Sequence, residues 1–405
     1  MIKIREFNNI KEVATLVHEI LHYTNQPIDN KRNTASDYLT EQARQFVISG
    51  NIENAVNTAV NDIYPKFKLL LRSITKDVAK DIVVEQIKDQ IKGLSDKEAN
   101  EFIKKLYSST GKHNYMKDSY FANYDISEDR WFEDIRFLNG KKYENKVDII
   151  VGGSPCQSFS IIGKRAGLED TRGTLFYDYA RLISETKPKV FIYENVPGML
   201  AHDKGKTWQV ISEVFDSLGY KIYKSLLNAK DYGIPQDRKR LFVVGFKNHD
   251  VNFKFPEPME LKTTFFDYLE DDRTVNPKHY LGKKGFEFVT NPKYRNRARI
   301  NPDIIQTQKA NQQFNWNGDF VFVPYEKVKD IPAIMERAYV STWNGKKGVI
   351  RQLTYKECLR LMGFSDDFKV VVPNVPAYRK AGNSIVVNVL ENIFKEIMKV
   401  EKFDE

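Results

Sequence analysis

The chain has 405 residues, 41% of them hydrophobic and 13% aromatic, enough to bury a sizeable core and to divide into two or three domains. The formal net charge of +9 favours a polyanionic partner. Two cysteines, Cys156 and Cys358, exclude a disulfide framework or a thiolate zinc site, and the lack of a long apolar run or apolar leader predicts a cytoplasmic protein with no membrane span.

Residues 1–112 contain only Gly50 and Gly93 before Gly111, and apolar positions recur at helical spacing, as in Val13, Leu16, Val17, Ile20 and Leu21. This predicts an all-helical module. One helix is expected to close on Lys92-Gly93, and Ser95-Asp96-Lys97-Glu98 offers a capping box for the next. His18 and His22 stand four apart on one helical face, but without the rest of a metalloprotease pattern they read as structural.

From Gly111 the pattern changes. Val147–Val151 reads as a buried strand running into Gly152-Gly153-Ser154-Pro155-Cys156, and 174–185 as an amphipathic helix. Lys189–Tyr193 is a second strand ending in Glu194-Asn195, 208–218 a helix, and 222–227 and 241–246 two further strands. Strands alternating with helices at this spacing predict a mostly parallel, Rossmann-like α/β sheet covering 113–254.

Around Phe255-Pro256-Glu257-Pro258 the regularity breaks, and 255–350 reads as an irregular inserted domain. Between Lys278 and Lys309 it carries eight basic residues against two acidic ones, a charge distribution suited to a phosphate backbone. Regular helices resume over 353–364, where Cys358 reads as core. Residues 351–405 then return to the α/β domain and close with Gly382-Asn383-Ser384 and a helix over 385–400.

Three strand-end loops thus carry Cys156, Glu194, and the pair Arg238 and Arg240. A thiol next to cations, a carboxyl group that can donate or accept, and an arginine that can hold a carbonyl oxygen together suit covalent attack on an electron-poor ring. In order and spacing, Pro155-Cys156-Gln157, Glu194-Asn195-Val196, Gln236-Asp237-Arg238-Lys239-Arg240 and Gly382-Asn383-Ser384 resemble the motifs of DNA (cytosine-5) methyltransferases. The resemblance runs from about Asp134 to the C-terminus.

The resemblance implies a methyltransferase that uses S-adenosyl-L-methionine on double-stranded DNA, in a bacterial restriction-modification setting and associated with the nucleoid. Cys156 would attack carbon 6 of a flipped cytosine, Glu194 would contact ring nitrogen 3 and the exocyclic amine, and Arg238 would hold the carbonyl oxygen. Asp134 would contact the cofactor adenine, with Pro155, Asn383 and Ser384 also at the cofactor. Asn383 and Ser384 are expected at the first turn of the last helix. Gln157, Lys164 and Arg165 of the mobile loop, Arg240, and Arg295, Arg297 and Arg299 of the insert would meet DNA, the insert being the target recognition domain. Asn195, Gly382 and Arg240 suit loop bracing as well as substrate contact.

The sequence departs from the family at one point. Residues 1–112 lack the Phe-x-Gly-x-Gly-Gly turn that approaches the cofactor methionine. Either a companion subunit or a local substitute supplies that part, or the chain is a DNA-binding or regulatory homologue. A transfer-RNA cytosine methyltransferase is a third reading.

Overall fold

The computed structural model describes residues 83–111, 113–154, 175–310 and 316–403. Expectations for residues 1–82, including the His18 and His22 pair, lie outside the described residues. Residues 88–405 form one compact unit.

Residues 83–91 are helical, and Gly93 takes a positive φ of 90° in the turn that follows. Helix α1 (Asp96–Ser109) begins with the expected capping box: Ser95 Oγ accepts from the Glu98 N–H while the Glu98 carboxylate accepts from the Ser95 N–H at 2.9 Å. Helix α2 (Tyr115–Asn123) is capped by Asn114.

The central sheet contains β1 (Ile149–Gly152), β2 (Val190–Asn195), β3 (Lys221–Asn228) and β5 (Lys239–Phe246), in the order β1-β2-β5-β3. β1 and β2 pair in parallel, and β5 runs antiparallel to both β2 and β3. Three of the four strands therefore point the same way, as a mostly parallel sheet requires, yet only the β1–β2 pair is itself parallel. The reason is local: ten residues, 229–238, separate β3 from β5, too few for a helical crossover, so the chain doubles back beside β3.

Residues alternate strictly between the two faces of this sheet. Val190 and Ile192 of β2, with Val244 and Phe246 of β5, enter one core cluster with Val389, Ile393 and Ile397 of α10 (Val387–Val400). Phe191 and Tyr193, with Leu241 and Val243, enter another with Phe176, Ala180 and Ile183 of α3 (Leu175–Thr186) and Ile211 and Phe215 of α4 (Lys206–Ser217). Each fully buried aromatic or branched side chain contributes roughly 1.5–3 kcal/mol. Burial on both faces explains the nearly continuous apolar runs of β2 and β5.

The insert is more regular than its sequence suggests. It holds its own four-stranded sheet, β6-β8-β10-β9, from β6 (Ala298–Ile300), β8 (Gly318–Pro324), β9 (Ser341–Trp343) and β10 (Lys346–Gln352). Phe320, Phe322 and Ile350 pack with Leu281, Phe286 and Val289, the last two from α5 (Lys283–Thr290). Val321, Val323 and Val349 point the other way, into the cluster shared with the central sheet. A second seam is β4 (Gln236–Asp237), which pairs in parallel with β7 (Ile305–Gln306) of the insert. The buried guanidinium of Arg351 clasps Glu357 through two nitrogens, at 3.0 and 2.9 Å, and Asp272 at 2.8 Å.

Past the insert, the short helices α6 (Tyr325–Val328), α7 (Pro332–Arg337) and α8 (Tyr355–Arg360) lead to α9 (Asn374–Asn383). Cys358 is buried in the shared core, as expected.

Candidate active site

β1 and β2 end side by side, with Gly152 opposite Tyr193. A Cβ at Gly153 would overlap the Glu194 main-chain oxygen, so only glycine permits this close approach. Ser154, the last described residue before the cysteine loop, is clamped: its Oγ lies 2.7 Å from the Tyr193 hydroxyl, and its carbonyl accepts from Asn195 Nδ2 at 3.0 Å. Asn195 also donates to Tyr193 Oη at 2.9 Å. Asn195 thus braces the two strand ends, and the chain enters the cysteine loop from a fixed point. Pro155, Cys156, Gln157, Lys164 and Arg165 lie outside the described residues.

Glu194, the penultimate residue of β2, lies beside Arg240 of β5, whose Nε is 3.0 Å from Glu194 Oε1. Burial raises the Glu194 carboxyl above its ordinary value, and the charges of Arg240 and Arg238 offset this only in part. Burial also lowers the Arg240 guanidinium against the pull of Glu194. For both partners desolvation outweighs their attraction, which leaves a carboxyl group able to hold a proton nearer neutrality.

Arg238 has a different place. Its Nη1 donates to Gln308 O at 3.0 Å, and its Nη2 donates to Gly382 O at 3.0 Å and Ser384 O at 2.9 Å. Burial, reinforced by repulsion from Arg240, pushes the guanidinium down to about 10, still protonated at neutral pH. Its main-chain N–H donates to Asn228 Oδ1 at 2.9 Å, and Gln236, fully buried, donates to Leu361 O at 2.7 Å. Arg238 therefore joins three segments, and Arg240 is the cation at the carboxylate. The spacing of the two arginines carries no sign of this division.

Asn383 and Ser384 sit at the C-terminal end of α9 and its cap, and the last helix, α10, starts only at Val387. This corrects the expected position at the first turn of the last helix: residues 374–383 form a helix of their own, with Pro376 tolerated in its first turn, and Ser384 caps it before α10 begins. Gly382 packs against the main chain of Lys309 and Ala310, where a Cβ would overlap both.

Asp134 caps a short turn with its own Oδ1, which accepts from the Arg136 N–H at 3.0 Å. Arg136 also pairs with both carboxylate oxygens, at 3.0 and 2.5 Å, and the Tyr107 hydroxyl of α1 donates to Oδ2. Burial alone would raise this carboxyl, but the bonds from Arg136 and Tyr107 hold it below its ordinary value. Beside it lies a cavity of about 260 Å³, with Phe132, Phe137, Leu138 and Asn139 on one side and Ile91, Asn100 and Ile103 on the other.

The three insert arginines divide. Arg295 and Arg297 are exposed, Arg297 donating to Asn317 Oδ1 at 2.9 Å. Arg299 is instead tied at 3.0 Å to Asp319, whose side chain is fully buried. Burial raises the Asp319 carboxyl and Arg299 opposes the rise, which makes this a structural pair.

The strand ends of an open α/β sheet thus gather a carboxyl group and a cation, Glu194 and Arg240, with a second sheet formed by the insert, and strand ends of this kind are where α/β enzymes place their chemistry. The sequence profile of C-5 cytosine-specific DNA methylases matches residues 93–399, and the chain belongs to that family. It is 34% identical over 313 residues to the Type II methyltransferase M.HpaII of Haemophilus parainfluenzae, covering 73% of this chain and 83% of that protein. It is 36% identical over 266 residues to M.HhaI of Haemophilus parahaemolyticus, covering 64% and 78%. In fold it is similar to the Entamoeba histolytica methyltransferase EhMeth, with a TM-score of 0.53 and 17% identity over 71% of this chain and 88% of that one. The S. pombe Dnmt2 methyltransferase gives a TM-score of 0.51 at 16% identity, with the same coverage of each chain.

The family uses S-adenosyl-L-methionine as methyl donor. The described residues fit it in part. The cavity beside Asp134 mixes apolar walls, Ile91, Ile103, Phe132 and Phe137, with polar groups such as Asn100 and Asn139, while the Asp134 carboxylate is already engaged. Among the described residues no glycine-rich turn stands by for the methionine end. No helix among them is long and apolar enough to cross a membrane.

Proposed function

We propose that the chain is a DNA (cytosine-5) methyltransferase acting on a specific duplex sequence, in a restriction-modification setting and on nucleoid DNA. The observation that carries this is the Glu194–Arg240 pair, held at the strand ends next to the clamped entry to the Cys156 loop. S-adenosyl-L-methionine supplies the methyl group. The base turns out of the duplex, because its ring faces are inaccessible in the stack. The Cys156 thiolate adds to carbon 6 while the Glu194 carboxyl group hydrogen-bonds ring nitrogen 3. Carbon 5 gains nucleophilic character and takes the methyl group. Loss of its proton then returns electrons to the ring and expels Cys156.

The geometry favours Arg240 over Arg238 for the cytosine carbonyl oxygen, since the Arg238 nitrogens already serve three main-chain carbonyls. Arg238 becomes a positioning residue. Gln157, Lys164 and Arg165 would close over the base, Asn383 and Ser384 would border the cofactor, and 255–350 would read the target, with Arg295 and Arg297 on phosphates.

One observation favours dependence on a companion subunit. β1 is an edge strand whose outer side pairs with no described strand, where a partner could extend the sheet. Methyl incorporation from labelled S-adenosylmethionine, into phage DNA and into transfer RNA, tests the assignment. Incorporation into DNA by the purified chain supports it and removes the companion. Incorporation into transfer RNA alone would overturn it.

A further inference from the structure

Three buried side-chain atoms without a hydrogen-bond partner lie on one seam: Arg238 Nε and both amide atoms of Gln308. Gln308 is 2% exposed, yet its main chain is fully committed. Its N–H donates to Gln236 Oε1 at 3.0 Å and its carbonyl accepts from Arg238. On either side, Thr307 Oγ1 donates to Asp237 O at 2.7 Å, and Ala310 is packed on Gly382. The backbone is fixed, and the amide it carries bonds to nothing.

Folded proteins rarely leave a buried amide unpaired, because it gave up its bonds to water and gained none. Local rules of this kind are broken most often at functional sites. Gln308 stands on the strap that joins the insert to the catalytic sheet. It touches Arg238, two residues from the Arg240 that faces Glu194. A neutral amide, with two donors and one acceptor, matches the mixed pattern of a base edge better than a phosphate.

We propose that Gln308 is a DNA-contacting residue, whose amide turns to the edge of a base adjoining the flipped cytosine when duplex is bound. This rests on the methyltransferase reading of the site. With the backbone held by Gln236 and Arg238, rotation of the side chain toward the bound duplex supplies the partners that the free protein withholds.

The test is equilibrium binding of the full chain to fragments of bacteriophage lambda DNA over a series of salt concentrations, for wild type, Q308M and Q308A. Both variants are expected to bind about tenfold more weakly at each salt concentration, with the slope of log affinity on log salt unchanged, because no cation is lost. Q308M, which relieves the unpaired amide, is expected to melt ~2 °C higher without DNA. Affinities within twofold of wild type, or a loss that comes with a changed slope, would overturn the contact. Should Q308M not fold, Q308A decides alone. Methyl incorporation into DNA and into transfer RNA by wild type is followed in parallel: a Gln308-dependent affinity for DNA with incorporation into transfer RNA alone would sink the DNA methyltransferase reading and keep the contact.

Discussion

Arg240 Nε stands 3.0 Å from Glu194 Oε1, while Arg238, two residues earlier, turns inward to the carbonyls of Gln308, Gly382 and Ser384. Two arginines of one motif thus stand apart, one paired with the carboxyl group at the strand ends and one bonded inside the fold. R240K keeps a charge but loses the planar fork, and is expected to lower kcat by about 10²-fold while the melting temperature changes little. R238A strands three buried carbonyls and is expected to cost about 3 kcal/mol or more. Thermal melts and methyl incorporation on the same preparations check both, and a stable, inactive R238A would reverse the assignment.

Glu194 carries a pH dependence of known sign. Its folded pKa is raised, chiefly by burial, so the native state binds this proton more tightly than the unfolded chain does. The resulting stability is fully present below the ordinary carboxyl value and is lost as pH rises through the raised one. The stability of wild type relative to E194Q should therefore decline from acid towards neutral pH. A difference that does not vary with pH would show that the carboxyl is unperturbed. E194Q is also expected to lose about 10²-fold or more in rate.

The insert arginines should separate in a salt titration. R295A and R297A, at exposed positions, are each expected to reduce the slope of log affinity on log salt by about one unit. R299A leaves Asp319 buried without its partner and is expected to cost roughly 1–3 kcal/mol of stability with little change in slope. An R299A protein that is stable but binds DNA weakly would place Arg299 on the phosphates after all.

Much of this was legible in the sequence because periodicity reports burial. The double-sided core of β2 and β5 appears as unbroken apolar runs, and the cap of α1 as Ser95 and Glu98. Pairing depends on distant partners and was less legible. The reversal of β5 is written only in a linker too short for a crossover, and α9 carries Pro376 in its first turn, where proline is tolerated. Within the candidate site, the sequence put Glu194, Arg238 and Arg240 in strand-end loops, and the structure brings Glu194 and Arg240 together. Which arginine pairs with the carboxyl group is a matter of depth, which spacing cannot express. Tyr107 and Gln308 carried no local signal, because each matters through a partner far along the chain.

Cys156, proposed as the nucleophile that adds to cytosine, can be trapped on its substrate. In duplex DNA containing 5-fluorocytosine, fluorine replaces the carbon-5 proton whose loss would expel Cys156 from carbon 6, so the enzyme should remain covalently attached. Incubated with such DNA and S-adenosylmethionine, wild type should give a denaturation-resistant adduct that peptide mass spectrometry maps to Cys156, and C156S should give none. An undiminished adduct in C156S, or methylation of ordinary DNA by that variant, would contradict the account.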